Sequence, residues 1–162
     1  MIVVSDTTPL NYLVLIGAVD VLPRLFKNVY APSAVVHELT HPKAPPAVCA
    51  WAQSPPSWLT ISAPVSRLAS TAQLDLGEAQ AISLAKELNI PAILIDERLG
   101  STIARREGLV PLPTLAILER AAEKNLIDLP TFLTKLLQTN FRVPAAHIRA
   151  ALLRDAARKP RH

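Results

Sequence analysis

Cysteine is almost missing from this 162-residue chain. Cys49 stands alone, which excludes an intramolecular disulfide and any metal site built from clustered cysteines. There are only four glycines, and they form no glycine-rich phosphate loop of the P-loop or dinucleotide-binding kind. Aromatic residues make up 4%, too few for extensive base stacking, so a nucleic acid would be held mainly through its charged backbone. Long hydrophobic runs are also missing. Half of the residues are hydrophobic, yet the longest apolar run, Tyr12 to Val19, contains Gly17 and falls far short of the roughly 20 residues that span a bilayer. No Lys or Arg precedes Arg24, so the basic start of a secretory signal is lacking. These absences leave one globular domain over residues 1–162, expected to be cytoplasmic and free of membranes.

Proline is abundant, at fifteen residues, and it marks helix starts and stops. Charge is unevenly divided. Residues 1–96 carry 5 Lys/Arg and 7 Asp/Glu, whereas residues 97–162 carry 12 and 6, a net of −2 followed by +6. An acidic half joined to a basic half suits carboxylate chemistry beside a polyanion-binding surface; ordinary solvated helix faces would give the same counts.

Short β-branched or apolar runs at Met1–Ser5, Asn28–Tyr30, Trp58–Ser62, Ala92–Ile95 and Leu109–Leu112 predict strands. Between them, periodic segments predict helices, with Thr8 as N-cap and Pro9 at the first helical position of the first one. The others cover Asp20–Phe26, Pro32–Thr40, Ala47–Gln53, Leu76–Leu88, Glu97–Glu107, Thr114–Asn125, Pro130–Gln138 and a basic C-terminal helix, Pro144–Lys159. Alternating strands and helices predict an α/β fold on a mainly parallel sheet with a helical C-terminus.

Four acids stand out. Asp6 and Asp96 each follow a predicted strand, and open parallel sheets gather their sites at the carboxyl ends of strands. Glu38 and Glu78 share helix faces with apolar residues, where a carboxylate needs a partner and a metal ion is one. Each acid alone has an ordinary alternative: Asp6 as a helix cap, Glu78 at a favourable helix N-terminus, Glu38 in solvent. The segments Val3-Val-Ser-Asp-Thr-Thr-Pro-Leu10, Tyr30-Ala-Pro-Ser-Ala-Val-Val-His-Glu38, Leu74-Asp-Leu-Gly-Glu-Ala-Gln-Ala-Ile82 and Ile93-Leu-Ile-Asp-Glu-Arg98 resemble, in order and spacing, the PIN-domain nucleases. The nearest branch is the prokaryotic one allied to toxin–antitoxin ribonucleases, and the resemblance runs over roughly residues 1–155.

That resemblance implies a three-layer α/β/α sandwich around a central parallel sheet. It also implies Mg²⁺ or Mn²⁺ held by Asp6, Glu38, Glu78 and Asp96, and hydrolysis of RNA. Thr8 matches a small polar residue that contacts the acids, and Glu97 is the second member of an acidic pair at 96–97. A glycine is usual before the Thr114-Leu115 pair; here Pro113 stands there, at the edge of the site near Thr114. Related proteins suggest a homodimer, with the apolar helices Leu10–Ile16 and Val19–Phe26 as interface or as core, and a small antitoxin partner. A PIN fold that binds RNA or a partner with little catalysis is the alternative. Such chemistry fits the residue types, since Mg²⁺ and Mn²⁺ take oxygen ligands.

One competing motif overlaps. His37-Glu38-Leu-Thr-His41 spells the H-E-x-x-H of zinc proteases, although His41 precedes Pro42, which disfavours helix there, and no third ligand is evident. Arg98 either reaches a phosphate or pairs with Glu97 or Glu107. Arg142, Arg149, Arg154, Arg158, Lys159 and Arg161 form a basic edge, of which Arg149, Arg154 and Arg158 are the expected RNA-binding set.

Overall fold

The computed structural model describes residues 1–160. Five strands form one sheet in the order β3-β2-β1-β4-β5, comprising β1 (Ile2–Ser5), β2 (Asn28–Pro32), β3 (Leu59–Ser62), β4 (Ala92–Leu94) and β5 (Val110–Leu112). Every neighbouring pair is parallel. Strands β1 and β4 pair with Val3 opposite Ala92 and Ser5 opposite Leu94. Because the chain builds outward from β1 in one direction and then returns to build from its other side, the switch point lies between β1 and β4, where a crevice opens at their carboxyl ends.

The described residues hold nine α-helices: α1 (Thr7–Leu15), α2 (Leu22–Leu25), α3 (Ser33–Leu39), α4 (Pro46–Gln53), α5 (Leu76–Glu87), α6 (Arg98–Arg106), α7 (Thr114–Glu123), α8 (Leu129–Leu137) and α9 (Ala145–Arg158). Strand residues alternate between two cores, as a sheet covered on both faces requires. Val3, Val29 and Leu94 join the larger core with α1–α4 and α7–α9. Val4 and Ile93 join the smaller one under α5 and α6. The result is the three-layer α/β/α arrangement.

Four helices end on a left-handed residue that turns the chain, at Gly17, Asn89, Gly108 and Asn125 (φ 74°, 55°, 80° and 57°). In each case the next N–H returns to a carbonyl in the last turn, as Leu109 N–H does to Ala104 O at 2.9 Å. This is the Schellman closure, and glycine or asparagine fits it best.

Two sequence expectations change here. Helix α1 begins at Thr7 with Asp6, not Thr8, at the N-cap position, because Asp6 takes the extended backbone that ends β1. Six apolar residues of the segments Leu10–Ile16 and Val19–Phe26 belong to the core: Leu10, Leu13, Ile16, Val19, Leu22 and Phe26 are all buried. Tyr12, Val14, Leu15 and Leu25 of the same segments are only half-buried against that core. No helix among the described residues is long and apolar enough to cross a membrane.

Candidate active site

Asp6 leaves β1 and is anchored to the neighbouring strand, its N–H donating to Leu94 O at 2.9 Å. Asp96 lies two residues past that carbonyl. The two acids therefore lie at the carboxyl ends of adjacent strands on either side of the switch point, as strand-end placement predicts. Asp6 is 2% exposed. Although at the N-cap position, its side chain makes no capping hydrogen bond, and its Oδ1 has no partner among the described residues. A buried carboxylate oxygen without a partner is costly, which speaks against a purely structural role.

Burial pushes the Asp6 carboxyl up to about 7. The negative charges of Asp75, Glu38 and Asp96 push the same way, and the nearby Thr7 N–H opposes them. Glu78, near the start of α5, is pushed up to about 9, first by burial and then by its hydrogen bond with Asp75 and the charges of Asp75, Asp6 and Glu97. Asp96 is also raised by burial, against hydrogen bonds from Thr114. Asp6 thus lies within reach of the charges of Glu38, Asp75 and Asp96, and Glu78 within reach of Asp6, Asp75 and Glu97, a pattern that functional sites share with structural charge networks.

Each of the other three acids has a neighbour that fixes it. The Thr7 hydroxyl donates to Glu38 Oε2. Thr114 is fully buried and donates twice to Asp96, from its N–H at 2.8 Å and its hydroxyl at 2.6 Å; Pro113 before it leaves both bonds intact. Asp75 caps α5 by accepting the Glu78 N–H at 2.9 Å. Two glycines clear space for carboxylates: a Cβ on Gly77 would lie 2.6 Å from Glu38 Oε1, and one on Gly100 would lie 2.9 Å from Glu78 Oε2.

Sequence reasoning misses four of these residues, Thr7, Asp75, Gly77 and Gly100. Thr7 rather than Thr8 meets an acid, because the helix starts one residue earlier. Asp75-x-x-Glu78 is a capping-box pattern and was the available signal for Asp75. Glu97 is exposed and caps α6, accepting the Leu99 N–H at 3.1 Å, so its structural role is clear while its charge still reaches Glu78. Arg98 is exposed and enters no ion pair among the described residues.

The zinc-protease motif does not form. Helix α3 stops at Leu39, so His41 leaves the helical face, and its Nδ1 accepts the Lys43 N–H at 3.0 Å. His37 is exposed while Glu38 turns inward to Thr7. More broadly, no group of three or more His, Cys, Asp or Glu among the described residues is closed up as a ready metal-ligand set. The donors themselves suit Mg²⁺ or Mn²⁺: all are carboxylate oxygens, and the unpartnered Asp6 Oδ1 is free to ligate.

Of the expected RNA-binding arginines, two are engaged elsewhere. Arg154 grips Glu119 of α7 with two bonds, at 2.8 and 3.0 Å. Arg158 bonds Asp155 at 2.9 Å, and Lys159 reaches Asp155 at 2.8 Å and Asp128 at 3.7 Å. Arg149 is exposed. Arg161 lies outside the described residues.

A family model described as a PIN domain matches residues 2–156. No curated protein and no solved structure shows significant similarity to the chain.

Proposed function

The chain belongs to the PIN-domain family, a family with a nuclease-type fold, and from that membership we propose that it is a divalent-metal-dependent ribonuclease. The observation that carries the reading is Asp6, buried, with one oxygen unpartnered, in the field of Glu38, Asp75 and Asp96. Asp6, Glu38, Glu78 and Asp96 would hold Mg²⁺ or Mn²⁺. When bound, the cation makes water a stronger nucleophile at neutral pH and offsets charge on the phosphoryl oxygens. Thr7 and Thr114 orient Glu38 and Asp96, as outer-shell donors to ligating carboxylates do. Asp75 keeps Glu78 near the start of α5. The walls of the crevice hold the phosphodiester against these acids.

The reading includes a cytoplasmic location, a homodimer and a small antitoxin partner, as in the toxin–antitoxin branch; a small open reading frame beside the gene would support the last. The spread of the acids favours one other reading, a PIN fold that binds RNA with little turnover. Single-stranded RNA incubated with the protein in Mn²⁺ or Mg²⁺, against EDTA, separates the two. Metal-dependent cleavage is expected, and Asp6→Asn or Asp96→Asn should lower turnover by about 100-fold or more, the scale of losing one preorganised electrostatic group. RNA binding without cleavage across varied substrates would favour the alternative.

A further inference from the structure

A cavity of about 610 Å³ opens onto Asp96, and its rim carries Arg98, Arg105, Arg142 and His147. These residues come from three places: α6, the loop after α8, and the first turn of α9. Arg98 and Arg105 are seven residues apart, on one face of α6 and about 10 Å apart along its axis. That span reaches more than one phosphate of a strand. All three arginines are exposed, and none enters an ion pair among the described residues. The ion pairs in this half of the molecule fall on Arg154, Arg158 and Lys159 instead.

Three cations without an ion-pair partner outnumber the one acid, Asp96, in the cavity lining, and an anion would offset their mutual repulsion. Guanidinium groups hold phosphate oxygens through paired hydrogen bonds. The remaining wall, of Pro111, Pro113 and the Phe141 ring, is apolar and suits the sugar and base faces of an unpaired strand. An acidic peptide carries the same sign of charge and would meet Asp96 as a phosphodiester does; the strand is preferred because on the ribonuclease reading its phosphodiester is the group the acids act on.

We propose that this cavity, and not the far end of α9, is the channel that holds single-stranded RNA, with Arg98, Arg105 and Arg142 on successive phosphates. The inference rests on the ribonuclease reading and names how that site takes its substrate. Arg154, Arg158 and Lys159 then serve as a clamp that fastens α9 to α7 and α8.

The test is fluorescence anisotropy of a labelled oligouridylate with wild-type protein in EDTA, titrated at several KCl concentrations. Combined Arg98→Gln, Arg105→Gln and Arg142→Gln should weaken binding and lower the log–log salt slope by about 2, at roughly 0.7 for each phosphate that a single strand no longer has neutralised. The same three positions changed to Lys keep the charge and should keep most of the slope, which controls for misfolding together with a thermal melt. Arg154→Gln with Arg158→Gln should leave the slope as in wild type. An unchanged slope and affinity in the folded Gln triple would overturn the proposal. So would an oligoglutamate peptide that binds the rim while oligouridylate does not. Parallel assays in Mn²⁺ keep the two readings apart: RNA held at the rim but never cleaved removes the nuclease and leaves the channel, whereas cleavage with binding indifferent to the Gln triple removes the channel and leaves the nuclease.

Discussion

Gly77 shows how a single hydrogen in place of a methyl group shapes the site. A glycine near the start of a helix sacrifices about 0.5–1 kcal/mol relative to alanine, and here that space is filled by the Glu38 carboxylate. Alanine would push against the far end of a flexible side chain, which can swing away. Swinging away breaks the hydrogen bond from the Thr7 hydroxyl, which offsets the gain in helix propensity, so Gly77→Ala should leave the metal-free protein within about 1 kcal/mol of wild type. With Glu38 displaced, Mn²⁺ affinity should fall by about tenfold or more, as when a ligand's support is disturbed. Calorimetric melts with and without Mn²⁺ read both quantities, since the metal-induced rise in Tm follows RT ln(1 + [L]/Kd). Equal stabilisation of mutant and wild type by Mn²⁺ would show that Glu38 is not a ligand.

At the scale of elements, almost the whole order of strands and helices was legible in the sequence. β-branched runs such as Ile2–Ser5 and the apolar period of Leu76–Glu87 are local signals, and they mark their elements to within a few residues. The acids were legible for the same reason: strand ends and helix faces can be read from spacing. Two kinds of information were not local. The first is the exact start of α1, which depends on Asp6 finishing the β1–β4 pairing and so assigns the useful hydroxyl to Thr7 rather than Thr8. The second is the fate of the C-terminal arginines, because Arg154 meets Glu119 across 35 positions and no periodicity reports that. Helix ends offer a clean test of a local signal. Gly108 sits at φ 80° with nothing within 4 Å of where a Cβ would be. Gly108→Ala should thus cost only the left-handed backbone penalty, about 1–2 kcal/mol, seen as a fall in Tm with no change in metal binding.

Across the whole molecule, the acid crevice couples stability to pH. The folded Asp6 carboxyl titrates at about 7 against 3.8 in a solvated chain, raised chiefly by burial. Between those values the folded protein binds a proton that the unfolded chain has released. Stability of the metal-free protein must therefore fall as pH rises from about 4 to 7, and Glu78 extends the same trend upward. The loss should be on the order of 1–4 kcal/mol. Saturating Mn²⁺ should reverse the slope, because the cation displaces those protons; urea melts across pH, with and without metal, would reveal a site that does not bind metal if the two curves run parallel. The strand order carries a further consequence, in time rather than in space. Asp6, Thr7 and Glu38 emerge from the ribosome early, but β1 gains its β4 partner only after Leu94 has been made, and Asp96 gains both of its donors only with Thr114. At roughly 5–20 residues per second, the half-made chain exists for several seconds with its sheet open beside β1. During that interval the acids at the ends of β1 and β4 are not yet assembled, so on the ribonuclease reading proposed above the nascent chain should be inactive until β5 and α7 have joined the sheet.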